Sequence, residues 1–285
     1  MRRTLAAGVA LALLVPVLAS AQDRPVRWER RGDPAALPIT VFHSTQAANL
    51  TTAETLRKGE WLVEISHRFL PPVSDGSEAL WGLDGPVFNR LGLSYAVSDR
   101  VMLGVVRSNL TDNVELNAKA RLLEGGRDGV PFMVGAMGGL AWNTQLPDLP
   151  GYDGNERQAY AQLIVNALLG RRMAVGVVPT FLHNPRLEDA ASKSTVAMGV
   201  NGQLYLSPGV SLMGEWVVSE SRPGLEHDAG TFGIELETGG HFFKLVLTNT
   251  ARMNPTQHLA GTPFAFSADQ LRLGFNITRL LAFGG

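Results

Sequence analysis

Apolar and polar residues alternate with a period of two along most of the chain. Between Val114 and Leu122 one row reads Val114, Leu116, Ala118, Ala120 and Leu122, while the other reads Glu115, Asn117, Lys119 and Arg121. Successive side chains of a strand point to opposite faces, so this is a strand with one apolar and one polar face. The same rule sets Trp61, Val63, Ile65 and Phe69 against Leu62, Glu64, Ser66 and Arg68, and Val210, Leu212 and Trp216 against Ser211, Glu215 and Ser219. It sets Phe232, Ile234 and Leu236 against Thr231, Glu235 and Glu237, and Leu271, Leu273, Phe275 and Ile277 against Gln270, Arg272, Asn276 and Thr278. The pattern predicts about twelve strands, at 60–69, 86–97, 100–108, 113–123, 130–142, 157–169, 172–183, 194–206, 210–219, 230–238, 241–250 and 269–279. Most are nine residues or longer, enough for a tilted strand to cross a bilayer, whereas globular strands average about five or six.

The connections sort in the same sense. Ser98-Asp99-Arg100, Gly170-Arg171-Arg172, Ser207-Pro208-Gly209 and Gly239-Gly240 are tight turns, while 70–85, 143–156, 184–193, 220–229 and 251–268 are longer and rich in Pro, Gly, Asn and Asp. Short turns at one end and long loops at the other, with an even strand number, are the layout of outer-membrane barrels. The links 109–112 and 124–129 are of intermediate length and show no side. The longest internal apolar run, Ala159 to Leu169, is broken by Gln162 and Asn166, so it predicts no membrane helix. Only helices and closed barrels satisfy every backbone group within lipid. The fold expected is therefore all-β, a closed antiparallel up-and-down transmembrane β-barrel with an N-terminal extension.

That extension has two parts. Residues 1–21 read as a secretory signal peptide, with basic Arg2 and Arg3, an apolar stretch from Leu5 to Leu18 and a small-x-small site at Ala19-Ser20-Ala21. Residues 22–59 begin with Arg24, Arg27, Arg30 and Arg31, pass through an extended Ile39-Thr40-Val41-Phe42, and end in Thr51 to Leu56, which predicts one helical turn capped by Thr. This segment is either a periplasmic tail or a plug that folds back into the barrel occupying 60–285.

Composition narrows the function. A net charge of −1 over 285 residues leaves no electrostatic footprint for nucleic acid, and the absence of Cys closes disulfide, thiolate-metal and cysteine-nucleophile chemistry. Glycine, at 31 residues, suits tight turns and close backbone approach.

The stretch Gly59-Glu60-Trp61-Leu62-Val63-Glu64-Ile65-Ser66-His67-Arg68-Phe69, followed by Trp81-Gly82-Leu83-Asp84-Gly85, Arg90-Leu91-Gly92-Leu93-Ser94-Tyr95, Asp99-Arg100-Val101-Met102-Leu103-Gly104 and Arg107-Ser108, resembles domain-of-unknown-function family 5777, bacterial secreted β-barrel proteins. The resemblance runs from about Thr55 to Leu123, with Leu80-Trp81 standing where an aromatic pair is expected. It implies an outer-membrane-type barrel and supplies no substrate, cofactor or catalytic residue.

Candidate chemistry lies on the polar rows. Glu64, Arg68, Arg90, Glu115, Lys119, Arg121, Glu215, Glu235, Glu237, Lys244 and Arg272 are expected to face the lumen. Mixed signs at this density predict ion-paired, hydrated walls in place of a one-sign selectivity filter. The six histidines (His43, His67, His183, His227, His241, His258) have no metal-ligand spacing, and no metal or cofactor is expected. His67 reads as an interfacial ring near the outer end of the first strand. His183 and Ser194 fall near a rim where a membrane hydrolase would place them, without an elbow or oxyanion motif. Arg107 falls on the lipid row of Val101, Leu103 and Val105 and must lie near an edge or follow a bulge.

The sequence thus predicts a non-enzymatic outer-membrane barrel, porin-like or accessory, passing small polar solutes, contacting outer-membrane lipid and inserted by the barrel-assembly machinery. The alternatives are a barrel that binds a small apolar ligand or protein partner without conducting, and a soluble periplasmic β-protein.

Overall fold

A computed structural model describes residues 39–126, 129–148, 154–185, 187, 193–220 and 224–282. The predicted signal peptide, the arginines of 24–31 and the C-terminal Phe283 lie outside the described residues. Twelve strands form one closed antiparallel barrel: β1 (Glu60–Phe69), β2 (Val87–Ser98), β3 (Val101–Ser108), β4 (Asn113–Gly125), β5 (Phe132–Asn143), β6 (Arg157–Leu169), β7 (Met173–His183), β8 (Ser194–Ser207), β9 (Val210–Ser219), β10 (Ala229–Glu237), β11 (His241–Thr248) and β12 (Arg272–Ala282). Each strand pairs with its sequence neighbours, and β1 closes the sheet against β12 from Glu60–Ala282 to Arg68–Gly274. Closure removes both sheet edges, the condition for a sheet to span lipid. Among the described residues no helix is long and apolar enough to cross a membrane.

Every even-numbered strand ends at one rim, where the links are short, and every odd-numbered strand up to β11 ends at the other. This assigns the two links that sequence left open. Residues 109–112 lie at the loop end as a short 3-10 turn (Leu110–Asp112), and β4 ends and β5 begins at the turn end. The alternation survives on the outer face, where Leu91, Leu103, Leu116, Leu163, Val196 and Leu245 are all exposed. A continuous apolar band of this kind requires lipid around it. Aromatic pairs mark both ends of the band: Trp61 against Tyr95 at the turn end (centroids 4.6 Å apart), and His67 and Phe69 against Phe275 at the loop end (4.5 and 6.3 Å). Arg107 is on the outer face, as its row requires. It is tolerated because it sits at the loop rim, half-exposed and 2.5 Å from Asp112.

The inner face departs from the simple polar rule. From β5 to β9 it carries Met133, Tyr160, Ile164, Leu168, Val178, Leu182, Met213 and Val217, all buried. These residues face no water because chain fills the lumen. One lapse in the ladder is also local: β6 and β7 pair at Gln162–Thr180 and at Val165–Val177 but not between, where Pro179 lacks an N–H to give.

Candidate functional site

Two segments occupy the interior. The first is residues 39–58, which reach the lumen from the turn end just before β1. The second is the β11–β12 connection, which turns inward at Asn249 and carries a single helical turn, α1 (Pro255–His258). Val41, Phe42, Ala47, Ala48, Leu50 and Ala53 of the first, and Ala251, Met253, Leu259 and Ala260 of the second, are almost wholly buried. Leu50 and Leu259 pack into the same apolar cluster with Tyr160, Leu182, Ala197 and Val217, so the segments meet within the barrel.

The N-terminal segment does not form the helical turn expected over 51–56. Gln46 and Thr51 make an isolated antiparallel bridge, the Ala47 N–H donates to the Leu50 carbonyl, and the Thr52 N–H donates back to the Thr45 carbonyl. Glu54 accepts from the Val41 and Phe42 N–H groups (3.1 Å each) and from Thr40 Oγ1 (2.6 Å), which folds the segment back on itself. Glu215 accepts from the Asn49 and Leu50 N–H groups (3.0 and 2.9 Å) and from Asn49 Nδ2 (2.6 Å). Asn166 accepts from the Ala53 N–H at 2.6 Å.

Wall cations meet the segment's carbonyls. Lys119 Nζ donates to the Thr45 and Thr52 carbonyls (2.8 and 3.1 Å), and Lys244 Nζ donates to those of Gln46 and Ala47 (2.5 and 2.7 Å). Arg68 reaches Asn49 Oδ1 and Asn276 Oδ1 at 2.8 Å each, and Asn276 Nδ2 donates to the Ala48 carbonyl at 2.6 Å. Glycine at 199 makes the seat possible, since a Cβ there would stand 2.6 Å from Leu50 Cδ2. Salt-bridged pairs complete the set: Arg90 with Glu64 at 2.6 Å, and Lys244 with Glu235 at 3.2 Å.

Seven of the eleven polar-row residues singled out from sequence (Glu64, Arg68, Arg90, Lys119, Glu215, Glu235 and Lys244) therefore surround the N-terminal segment. They are packed against chain instead of lining an open, hydrated lumen: a buried charge needs a partner, and the segment's backbone supplies it for Lys119, Lys244 and Glu215. Glu115 lies deeper toward β6, accepting from Tyr160 Oη (2.7 Å) and Asn117 Nδ2 (2.9 Å). Arg121 stands at the turn end with Glu124 (3.3 Å) and the Asp99 carbonyl, and Glu237 accepts from the Gly240 N–H there. Arg272 stands at the loop end, its guanidinium 3.4 Å above the Phe264 ring and donating to the Leu70 carbonyl.

Sequence reasoning passed over Glu54 and the uncharged members. Asn49, Glu54, Asn166, Tyr205 and Asn276 are buried around or within the segment, and Tyr205 Oη donates to the Val41 carbonyl at 3.1 Å. Inward Asn, Gln and Tyr on the polar rows were the available signal.

The loop segment is seated by amides. Asn254 Nδ2 donates to Asn113 Oδ1 (2.6 Å), Arg90 Nε donates to Asn254 Oδ1 (3.1 Å) and Gln257 Nε2 donates to the Leu110 carbonyl (2.9 Å). Between the two segments and the wall by Glu64 and Arg90, a cavity of about 40 Å³ remains, room for a few waters.

His258 on α1 is fully buried, with Nδ1 against the Met253 and Asn254 carbonyls and no partner for Nε2. Burial pushes its pKa down from 6.5 to about 4, with Glu215 opposing and Arg90 reinforcing the shift. A released loop would titrate near 6.5, so it binds more protons than the seated one in the window between. The seated state is fully stable above that window and loses stability as pH falls from 6.5 toward 4. Proteolytic nicking of the β11–β12 connection is expected to rise across that range, and less so in His258→Gln.

Comparison with known proteins fits this architecture. Residues 42–281 match the family described as a membrane bound beta barrel domain, DUF5777. The chain belongs to this family. It is thus a membrane-bound β-barrel of the outer-membrane type, and the earlier resemblance over 55–123 extends across the whole barrel. Similar solved structures include an outer membrane channel from Pseudomonas putida F1, at 14% identity and a TM-score of 0.50, covering 80% of this chain and 98% of that one. The NanC porin follows at 8% identity and a TM-score of 0.46, covering 77% and 98%. Outer membrane protein Omp33 from Acinetobacter baumannii shares 9% identity at a TM-score of 0.42, covering 79% and 99%. At these identities the likeness is one of fold. No curated protein matched the sequence.

Proposed function

We propose that this barrel is a non-enzymatic, porin-like channel of the outer membrane for small polar solutes, held closed by the N-terminal segment and the β11–β12 connection. The observation that carries this reading is the seat itself. Lys119, Lys244, Arg68 and Glu215 are wall residues that each hydrogen-bond the segment's backbone or Asn49, which ties the segment by polar contacts that water can replace. The apolar contacts of Val41, Phe42, Ala48, Leu50 and Ala53 add to the seat and keep openings brief. A wall of both signs would leave an opened lumen polar and without strong charge selectivity. Twelve strands enclose more than the eight-stranded barrels that side chains fill, so removing the segment leaves a path. Residues 1–21 would direct export, and the barrel-assembly machinery would insert the sheet.

Single-channel recording of the full chain in planar bilayers tests the proposal. Brief openings from a closed baseline are expected. Electrical silence at all voltages, from protein that still shifts on an unheated gel, would sink it.

A further inference from the structure

Among the described strand residues, three arginines point outward from the barrel: Arg107, Arg157 and Arg279. The two at the loop end carry their own counter-ions, Asp112 for Arg107 and Glu156 for Arg157 at 3.5 Å. Arg279 does not. It follows Leu273, Phe275 and Ile277 along the outer row of β12, while Arg272, Asn276 and Thr278 are buried on the inner row. It is exposed, and among the described residues its guanidinium has no ion pair and no hydrogen bond. Val63 stands opposite it on β1 and His241 opposite it on β11. Trp61, one outward position nearer the turn end than Val63, belongs to the aromatic pair with Tyr95. Arg279 thus starts about 7 Å inside that belt, and its arm reaches back to headgroup level. The outer rows of β1, β10, β11 and β12 carry no carboxylate.

On the midplane side of Arg279 a groove of about 300 Å³ opens over β10–β12, lined by Ile234, Leu236, Phe243, Leu245, Phe275 and Ile277. Phe243 pairs with Ile277 one outward position from the His241–Arg279 pair, so the groove ends at the guanidinium. The His241 ring lies parallel to that of Phe243, with centroids 6.1 Å apart, and adds no negative charge. A cation on a lipid-facing wall needs an anion, and at headgroup depth the bilayer supplies phosphate, which a guanidinium grips through two parallel N–H donors. With no carboxylate beside it to hold a choline or ethanolamine, a net anionic headgroup is favoured over a zwitterionic one. We propose that Arg279 and this groove bind one anionic glycerophospholipid of the turn-end leaflet, with its phosphate on the guanidinium and an acyl chain along Phe243 and Ile277. The inference rests on the membrane span and not on conduction.

Photolabelling tests it on the full chain in phosphatidylcholine nanodiscs. The probes are a phosphatidylglycerol, a phosphatidylcholine and a diacylglycerol that share one diazirine-bearing acyl chain, and labelled peptides are mapped by mass spectrometry. Saturable labelling of the β11 and β12 peptides is expected from the phosphatidylglycerol, several-fold above that from the other two, which should label evenly around the barrel. Arg279→Gln should bring the phosphatidylglycerol down to the diacylglycerol level in a barrel that still shifts on an unheated gel. Ile234→Trp should fill the groove and reduce labelling of the same peptides with Arg279 in place. Equal labelling of β11 and β12 by all three probes in the parent would overturn the proposal even if Arg279→Gln did not fold, and so would a folded Arg279→Gln that labels like the parent. A dimer in native mass spectra that Arg279→Gln dissociates would give the guanidinium to a second copy of the barrel and overturn it as well. None of these readouts depends on conductance, so a silent channel that still labels refutes only the channel reading.

Discussion

Deleting residues 22–54, with the signal segment and β1 retained, is expected to turn a chain that opens briefly into one with a steady open level. Residues 41–53 of that stretch reach from the turn end into the loop-end half of the lumen, where Asn49 meets Arg68 and Leu50 packs beside Leu182, and they are almost wholly buried. The wall charges they cover do not lose solvation when they leave, because water enters behind them. Lys119, Lys244 and Arg68 exchange carbonyl and amide acceptors for water, and Arg90–Glu64 and Lys244–Glu235 keep their ion pairs. The barrel should thus remain folded and heat-modifiable. The α1 connection still narrows the loop end, and shortening 250–261 as well should raise conductance further. Unchanged conductance in the deletion would refute the idea that this segment closes the path.

Glu215→Leu should have the largest effect of any single substitution on the seat. It removes the acceptor for two backbone N–H groups and the Asn49 amide, and strands those donors beside Arg68. Breaking a buried charged pairing from one side costs about 3–5 kcal/mol, which lowers the seated population by roughly two to four powers of ten. Glu215→Gln keeps an acceptor and should lose about half of that. Two measurements check this: open probability in bilayers, and the rate at which a protease cuts residues 39–58 in the membrane-inserted protein. A Glu215→Leu channel as closed and as protected as the parent would show that the seat is held by apolar packing alone.

How far the sequence reaches depends on whether a property is local. Strand number and the outer face were legible because each outward residue answers only to lipid. Leu103 or Val196 reads the same whatever stands across the barrel. Arg107 shows the rule at its limit, since its row was right and only its height was unknown. The inner face was only half legible. Its charges declared themselves by alternation, but Ile164, Val178 and Met213 are inward and apolar, which on a solvent-filled wall would make no sense. They answer to Phe42, Ala48, Ala53 and Leu50, partners more than a hundred residues away in sequence.

The helical turn expected over 51–56 failed for the same reason. Thr51 is a competent cap in isolation, but the Thr52 N–H donates to the Thr45 carbonyl and the Ala53 N–H to Asn166 on the wall, which holds this stretch out of a helical turn. Local propensity decides where no stronger partner exists.

By itself, then, the sequence determined a closed transmembrane barrel of about twelve strands, with charged residues inside, short turns at one end and loops at the other. Period-two alternation and turn chemistry are carried by neighbours in the chain. Only the tertiary structure decided that the lumen is filled, that Glu215, Lys119 and Lys244 hold backbone in place of water, and that Arg279 stands on the outer face with no acid beside it. Those facts depend on which distant groups meet, and a buried charge takes its meaning from the partner that satisfies it.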